Sequence, residues 1–582
     1  MKKKTGYLIY ILIGILFVFF CMTEHELAAE GNILWNGKWI GKLLAVSLIL
    51  GSLLGSLIAF VLYRMEAFPG RENKRIIKKS ARAWKRPGPR RLFGLSWLCT
   101  MLSWLPGFLA YYPGINAYDF LIQLGQMQRQ EYNAHHPLAH TLLMEGFIRL
   151  GEQLGSGTAG MALYILVQMG ILAAALTGGI ALLGKWEAGG GWLIGLQVLA
   201  SFLPAHWYMS ISATKDTLFT AFMLLLLLML CGRIGSSRSW SNETESAEAG
   251  KGQPGNRRKM WYLDIWDVGY ILFGILMVLF RNNGIYAIAV MAVFFLLAAV
   301  FGKKARRLWI KILAETVVGL AAGSMILTVL FHVTGAVQGD KREMLSIPIQ
   351  QLARTMVYHG GIGVVPEDDD TMEDADKALI NEFILYEAYK NYRPDISDPV
   401  KGNTNTYVFV YRMKDFFKTY LGLLAEYPGD YVNAVLAVNA GYLSPFDESH
   451  AHINEHEGEV GLGYMQTRWE DPGAFGLDRE SKWPWLLEKM EIFADENQYL
   501  NVPVLKYIMV PGTYLWLSLL VAAWLLIHKK YRLLLPFALI LGYYVTLVLG
   551  PTVQLRYIYP VMTALPYLAA WALNNMSKEK EK

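Results

Sequence analysis

The sequence predicts an all-α membrane protein with about 12 transmembrane helices. Hydrophobic residues make up 54% of its 582 residues, and apolar runs of about 20 residues recur along it, each long enough to cross a hydrocarbon core about 30 Å thick. Such a segment must be helical in lipid, because an open strand would leave backbone groups without hydrogen-bond partners. These two observations together predict a polytopic helical protein.

The apolar runs alternate with loops rich in lysine and arginine. The positive-inside rule assigns such loops to the cytoplasm, and it does so here for residues 64–91, 233–260, 302–308 and 528–532. An even number of spans then leaves both termini in the cytoplasm. The predicted spans are 7–22, 41–63, 92–110, 158–183, 191–209, 216–232, 265–281, 283–301, 309–333, 504–528, 532–550 and 556–573.

One apolar segment, residues 136–151, cannot be a span if all of the basic loops are to lie on the cytoplasmic side. Glu145 and Arg149 interrupt it, and charged side chains are costly in the bilayer. We therefore expect a helix that lies on the outer face or dips into it.

Charge divides the chain into three parts. Residues 334–503 hold 29 of the 48 acidic residues and 14 of the 54 basic ones, a local net charge of −15. We expect this segment to be a mainly helical extracytoplasmic domain, with helical patterns at 343–358, 372–391 and 411–440. Transmembrane domains are expected on either side. The residues outside this segment have a net charge of +21, which indicates cytoplasmic loops in contact with anionic lipid rather than nucleic-acid binding. The expected divisions are 1–333, 334–503 and 504–582, with a flexible linker at 234–256.

The outer loop 111–157 carries a candidate catalytic carboxylate, Asp119. It stands near the start of a predicted helix, with Gln123 one turn further on the same face. A structural interpretation is available, in which Asn116 is the N-cap and Asp119 stabilises the first turn. His135 and His136 follow within the same loop and could form only a polar turn.

Three more polar groups lie at the same predicted boundary. Lys215 and Asp216 begin one span, where Thr214 could cap the helix and Lys215 could extend to the interface. Arg281 and Asn282 join two spans with almost no loop, and Arg556 and Tyr557 begin the last span. Ionisable residues gathered at one membrane face predict one shared polar site.

This pattern resembles the GT-C superfamily of membrane glycosyltransferases, including protein mannosyltransferases and aminoarabinose transferases. In those enzymes an acidic residue near the start of the first outer loop precedes a segment similar to His135–Leu138, and a late span begins with a pair like Arg556-Tyr557. Here the usual acidic pair is Tyr118-Asp119, and Leu138 replaces a second proline. Residues 346–354 and 427–431 also resemble an uncharacterised multi-spanning family of Gram-positive bacteria, which implies a bacterial plasma membrane.

The resemblance implies a sugar donor on a polyprenyl phosphate and an extracytoplasmic acceptor. Asp119 would be the general base, and the sugar would be transferred with inversion. Lys215, Arg281 and Arg556 would stabilise the leaving phosphate. The residues implied to bind substrate or phosphate are Lys215, Asp216, Arg281, Asn282, Arg556, Tyr557, His135, His136 and Gln123.

A histidine-rich stretch raises the question of a metal. His450, His452 and His456 lie among carboxylates and could bind zinc or manganese, but without a fixed secondary structure the spacing is weak. We favour an acidic loop and expect no certain cofactor.

Two other function classes stay open. A polysaccharide polymerase or ligase acting on lipid-linked glycans would use arginine and histidine rather than Asp119. A transporter of lipid-linked sugars should carry charges in mid-span, and these are scarce here. A non-catalytic relative of the enzymes is a further alternative.

Overall fold

The computed structural model describes residues 2–67, 87–248, 263–302, 305–446, 477, 480–495 and 498–580. Helix accounts for 79% of the structure and no β-sheet forms among the described residues, which confirms the prediction of an all-α protein. The helices before the acidic segment are α1 Lys2–Glu30, α2 Gly37–Ala67, α3 Pro89–Ala110, α4 Tyr118–Arg129, α5 Leu138–Gln153, α6 Gly157–Lys185, α7 Gly190–Phe202, α8 Pro204–Ile211, α9 Lys215–Glu248, α10 Ile265–Phe280, α11 Asn283–Phe301 and α12 Arg306–Thr334.

The second half of the chain begins with a short 3₁₀ turn and continues as helices to the end of the described residues. These are α13 Ser346–His359, α14 Asp374–Asn381, α15 Tyr386–Lys390, α16 Asp398–Lys401, α17 Thr406–Tyr411, α18 Met413–Glu426, α19 Pro428–Leu443, α20 Pro484–Asp495, α21 Pro503–Ile508, α22 Gly512–Ile527, α23 Tyr531–Leu534, α24 Phe537–Val548 and α25 Leu555–Lys580.

Eight helices among the described residues are long and apolar enough to cross a membrane. The chain is therefore a helical membrane protein, as predicted. Three shorter apolar helices, α7, α10 and α22, accompany the eight. The eight candidates are 6–29, 37–64, 89–110, 157–185, 215–235, 283–301, 306–334 and 531–548, the last of which comprises α23 and α24 together.

Prolines interrupt three of the predicted spans. The predicted span 191–209 is two helices, α7 and α8, because α8 begins anew at Pro204. The predicted span 504–528 is likewise divided just before Pro511, and 532–550 at Pro536. Proline has no backbone N–H to donate and its ring clashes with the preceding turn. Each break is thus a local consequence of the sequence that hydropathy alone does not register.

Two other predicted segments can be compared with the structure. Residues 136–151 are largely helix α5, which packs on α6. The predicted flexible linker 234–256 is different, because α9 continues as helix through Glu248 and only residues 249–256 of it lie outside the described part. The prediction of a linker starting at residue 234 was therefore wrong for its first part.

The first two helices form a closely packed hairpin. A side chain at Gly14, Gly51 or Gly55 would collide with the backbone of the opposite helix, since an added Cβ would lie under 3.0 Å from it. Glycines at facing positions let membrane helices approach closely enough for continuous van der Waals contact. The hairpin then packs on α19 and α22.

The acidic segment 334–503 has two structural parts. Residues 345–431 enclose a hydrophobic core of their own, around Leu352, Phe383 and Phe416. The helices that follow pack on the bundle: the Trp516 indole donates to the Leu443 carbonyl at the end of α19, and Tyr208 donates to the Met490 carbonyl in α20.

A polar contact joins the domain of residues 345–431 to the loop between α1 and α2. The Arg354 guanidinium donates to Asn32 Oδ1 at 2.7 Å. His359 Nε2 lies 2.8 Å from Asp430 Oδ2, and that hydrogen bond raises the pKa of His359 to about 9 despite the opposing effect of burial. Arg354 Nε also lies 3.7 Å from Asp430 Oδ1, so the two motifs at 346–354 and 427–431 meet here.

We name the two ends of the bundle by a residue at each. At the Asp119 end, α3 and α10 finish while α4, α5, α9, α11 and α25 begin. At the Arg233 end lie the starts of α10 and α12 and the middle of α9, where Arg233 pairs with Asp267 and Glu315. Each end carries a cluster of buried charges.

Candidate functional site

Asp119 is positioned by two short extended segments that run side by side. The amide of Ile115 donates to the Ile211 carbonyl and the amide of Ala213 donates to the Ile115 carbonyl, so the starts of α4 and α9 lie next to each other. The N-cap of α4 is Ala117, without a side-chain hydrogen bond to the helix. The interpretation of Asn116 as the N-cap was therefore wrong, and the Asn116 side chain does not cap α4.

Three basic side chains from distant parts of the chain surround the Asp119 carboxylate. Lys215 Nζ and Arg556 Nη1 both donate to Oδ2, the latter at 2.7 Å. His136 Nδ1 lies 3.9 Å from the same oxygen. Burial by itself would raise the pKa of Asp119, but the charges of Arg556 and Lys215 hold it well below its usual range. Asp119 is therefore a buried, ionised carboxylate.

Asp216 forms the second half of the same cluster. It is fully buried, and Arg281 Nη1 donates to its Oδ1. Arg556 Nη1 lies 3.8 Å from Asp216 Oδ2, so Arg556 stands between the two carboxylates. Thr214 accepts a hydrogen bond from the Asp216 amide, which agrees with its expected role as a helix cap.

The Asp119 cluster, defined as Asp119, Lys215, Asp216, Arg281 and Arg556, carries three cations against two carboxylates. With a neutral His136 nearby, its net charge is +1. Five helices also begin at this end, and the first N–H groups of a helix present a partial positive charge. The arrangement therefore favours an additional anion, such as a phosphate group.

Aromatic rings hold the two arginines in place. The Arg281 guanidinium lies 5.5 Å from the ring of Phe219, 5.6 Å from Tyr543 and 5.1 Å from Tyr557, in the range of cation–π attraction. Arg556 Nη2 donates to the Tyr557 hydroxyl at 3.1 Å, and its Nε donates to Gln554. These contacts fix the orientation of both cations before any ligand arrives.

The remaining predicted site residues lie around this cluster. His135 packs edge-on against His136 at 4.7 Å and its Nδ1 lies 4.0 Å from Glu343 of the acidic segment. Asn282 donates to the Ala134 carbonyl at 3.1 Å and so holds the loop that carries His135 and His136. Gln123 is turned towards Thr141, to which its amide donates at 2.7 Å. The structure thus brings all of these residues to one end of the bundle.

A chain of buried polar side chains next to the site escaped the sequence analysis. Gln123 Nε2 lies 3.1 Å from His140 Nδ1, and His140 Nε2 lies 2.8 Å from the Tyr164 hydroxyl. Tyr164 donates to Gln168, which donates to the Ser210 and Ser212 carbonyls. Burial lowers the pKa of His140 to about 3, so its ring is neutral.

The spacing of these residues was a usable signal. Tyr164 and Gln168 stand four residues apart within α6, and residues four apart share a helix face. The chain of hydrogen bonds braces the segment that leads into Lys215.

No group of three or more candidate metal ligands occurs among the described residues. The weak metal candidates His450, His452 and His456 lie outside that part of the chain.

A second buried charged cluster lies at the Arg233 end. We define the Arg233 cluster as Arg233, Asp267, Lys311 and Glu315. Arg233 Nη2 lies 2.9 Å from Asp267 and its Nη1 donates to Glu315, while Lys311 Nζ lies 2.6 Å from Asp267. The cluster joins α9, α10 and α12 and its four charges sum to zero.

Residues 127–582 match the model of a family of unknown function (DUF6020). That range is well over half of the chain, and the protein belongs to this family. Asp119 and Asn116 precede the matched range, whereas Lys215, Arg281 and Arg556 lie within it. No curated protein and no solved structure matches the chain.

Proposed function

We propose that this protein of the DUF6020 family is a membrane glycosyltransferase of the GT-C type. It moves a sugar from a polyprenyl-phosphate donor to an extracytoplasmic acceptor, which is a cell-envelope glycan, lipid or protein. The observation that carries the proposal is the Asp119 cluster, in which two buried carboxylates lie among three cations. The resemblance of the segments at Asp119, His135–Leu138 and Arg556-Tyr557 to GT-C enzymes supports sugar transfer over other phosphate chemistry.

The charges of the cluster suit a phosphate monoester or diester. A guanidinium presents parallel N–H groups to phosphate oxygens, and Arg556 and Arg281 are already oriented by their neighbours. The surplus of one positive charge and the nearby starts of α4, α5, α9, α11 and α25 stabilise one further negative charge. The lipid tail of such a donor is soluble in the surrounding bilayer.

We propose that the Asp119 end faces the outside of a bacterial plasma membrane, with about 12 spans and both termini in the cytoplasm. The basic loops of the sequence support this orientation. The depth of the site fits a position at one boundary of the membrane. Lys185 ends α6 at the opposite side, and Gln168 beside the site is 17 residues away, which is about 26 Å of helix and close to the thickness of the hydrocarbon core.

Asp119 acts as the general base in this proposal. An acceptor hydroxyl attacks the anomeric carbon, its proton passes to an Asp119 oxygen, and the bond between that carbon and the phosphate oxygen breaks. The phosphate leaves with the electron pair, and Arg556 and Lys215 stabilise its charge. A single displacement inverts the configuration at the sugar.

The paired state of Asp119 couples this chemistry to donor binding. Without a phosphate, Lys215 and Arg556 are bound to the carboxylate and make it a weak base. A bound phosphate competes for both cations, and the pKa of Asp119 then rises towards its usual range. The base becomes effective only when the donor is in place.

A polymerase or ligase acting on lipid-linked glycans is the second candidate. One observation favours it. Lys215 and Arg556 hold the Asp119 carboxylate ionised, and Arg556 and a neutral His136 both stand beside it, as a mechanism based on arginine and histidine requires. In that mechanism Asp119 would serve only to orient Arg556.

Glycan analysis of the cell envelope distinguishes the two candidates. The strains carry wild type, a deletion, Asp119→Asn or Arg556→Lys, with Asp374→Asn as an isosteric control at a fully exposed carboxylate of the acidic segment. We expect the deletion and Asp119→Asn to lose one glycan and accumulate a lipid-linked sugar at normal protein levels, because loss of a general base slows transfer by about 10²–10⁴-fold.

Other outcomes would change the assignment. If Asp119→Asn retains the glycan while Arg556→Lys loses it, the polymerase or ligase mechanism is favoured. An unchanged glycan profile in the deletion strain would contradict both.

A further inference from the structure

Two buried side chains beside Asp119 have no hydrogen-bond partner. Both amide atoms of Asn116 and both ring nitrogens of His136 are unpaired, although each residue is only 2% exposed. They are neutral groups, since burial outweighs the attraction of Asp119 and lowers the pKa of His136 to about 3. The four unpaired polar atoms belong to two residues near Asp119, one close in space and the other three positions earlier in the chain.

Leaving such atoms unpaired is unfavourable, because a buried donor or acceptor loses its hydrogen bonds to water without replacement. Native proteins keep few such groups, and those at functional sites commonly await a ligand. Asn116 is not explained by the fold, because Ala117 rather than Asn116 caps α4. Its amide stabilises nothing in the structure as it stands.

Both residues border the Asp119 cluster. His136 Nδ1 lies 3.9 Å from Asp119 Oδ2, and Asn116 precedes Asp119 by three residues in the turn that leads into α4. Asn116 also follows Ile115, which is paired with the segment leading to Lys215. Both residues thus adjoin Asp119, the carboxylate to which Lys215 and Arg556 are bound, but they carry no charge themselves.

We propose that Asn116 and His136 form a subsite for the neutral sugar of the donor, and that Asn116 determines its specificity. The amide offers two donors and an acceptor, and a neutral imidazole offers one of each. Vicinal hydroxyl groups of a pyranose or furanose both donate and accept, so they complement this set. The proposal rests on the proposed function, in which a phosphate joined to a sugar occupies the adjacent cationic cluster.

Binding measurements on the purified full-length protein in detergent test the subsite. The probes are farnesyl phosphate and a panel of farnesyl phosphates that carry mannose, glucose, galactose or arabinose. We expect wild type to bind at least one sugar-bearing probe about tenfold more tightly than farnesyl phosphate. Asn116→Leu should lose that gain while its affinity for farnesyl phosphate stays within about twofold of wild type, since one or two hydrogen bonds are removed.

Thermal unfolding without ligand supplies an independent readout. Asn116→Leu should leave the melting temperature unchanged or raise it, because no hydrogen bond is lost. The matched control is Asn439→Leu, another fully buried asparagine, whose amide donates to the Val435 and Val548 carbonyls at 3.0 and 3.1 Å. That variant should be clearly less stable.

Each contrary result has a distinct meaning. A sugar-dependent gain that survives in Asn116→Leu, no such gain in wild type for any sugar of the panel, or a destabilisation equal to that of Asn439→Leu would overturn the subsite alone. Failure of wild type to bind farnesyl phosphate would overturn the proposed function together with the subsite.

Discussion

The two buried charged clusters lie at opposite ends of the same bundle and use the same residue types, but their charges balance differently. In the Arg233 cluster two cations and two carboxylates pair among three helices. The Asp119 cluster has one cation more than it has carboxylates, and unpaired Asn116 and His136 adjoin it. A balanced cluster stabilises the helices that it joins, whereas a surplus charge with unpaired neighbours leaves capacity for a ligand.

The elements that supply the charges differ in the same way. The Arg233 cluster takes Arg233, Lys311 and Glu315 from the sides of α9 and α12, and Asp267 from the first turn of α10, where the Asp264 side chain accepts hydrogen bonds from the first amide groups. The Asp119 cluster takes its groups from helix starts and the turns before them, where free N–H groups add to the positive potential. Both are buried, so burial alone does not distinguish a functional cluster from a structural one.

The largest expected effect is on stability, from Arg233→Met. The variant leaves Asp267 and Glu315 buried with Lys311 as their remaining cation in the cluster. Breaking a buried ion-pair network in this way costs about 3–5 kcal/mol. Thermal or denaturant unfolding in detergent should report the loss, while transfer activity per folded molecule stays near that of wild type. The companion double variant Arg233→Met/Glu315→Leu should regain much of the stability, because it removes a charge of each sign.

An activity loss in Arg233→Met without a stability loss would break the comparison, since it would make the Arg233 cluster functional. Failure of the double variant to recover would mean that the charges also fix the helix positions.

The next largest expected effect is a loss of stability at low pH, which arises from His136 at the Asp119 end. The folded-state pKa of His136 is about 3, below the value of about 6.5 in an unfolded chain. Between these values the unfolded state binds more protons, so stability is lost as pH falls below about 6.5. From pH 8 to pH 5 the contribution of His136 amounts to about 2 kcal/mol, and the Arg233 cluster contains no histidine.

Unfolding measured at pH 8 and pH 5 tests this expectation. His136→Asn should lose less stability on acidification than wild type, and His332→Asn, an exposed histidine on α12, is the control. Equal losses for wild type and His136→Asn would show that the ring accepts a proton in the folded state, which would conflict with a neutral subsite.

The sequence predicted much of this organisation because hydropathy and basic loops are physical constraints on the whole chain. They were sufficient to bring Asp119, Lys215, Arg281 and Arg556, which are separated by up to 437 residues, to one end of the bundle. The boundary position of Arg281 followed from its place between two spans that are joined by almost no loop. Long-range convergence was therefore predictable from local patterns.

The local details were not predictable in the same way. Hydropathy averages over a window, so it gave continuous spans where Pro204, Pro511 and Pro536 divide the helices. The capping interpretation of Asn116 was reasonable from residue type, but the cap depends on which backbone N–H groups the turn presents. The Arg233 cluster was missed, because Arg233 was counted with a loop, while Asp267 and Glu315, 34 and 82 residues away, fall in two different predicted spans.

The smallest expected stability effect separates the two clusters most directly, and it compares Lys215→Met with Lys311→Met. Removing Lys215 leaves Asp119 paired with Arg556 and brings the Asp119 cluster to neutrality, so we expect a cost below the range of about 3–5 kcal/mol that is typical when a buried charge is left unpaired. Removing Lys311 leaves Asp267 and Glu315 against Arg233 alone, a buried surplus of negative charge, and should cost clearly more.

The ranking for ligand binding should be the reverse. Lys215→Met should bind farnesyl phosphate about tenfold more weakly, because a phosphate-binding cation is lost, whereas the affinity of Lys311→Met should be unchanged. Unfolding and binding measured on the same two preparations give both rankings, and equal destabilisation by the two variants would mean that the surplus charge at the Asp119 end is already compensated within the protein.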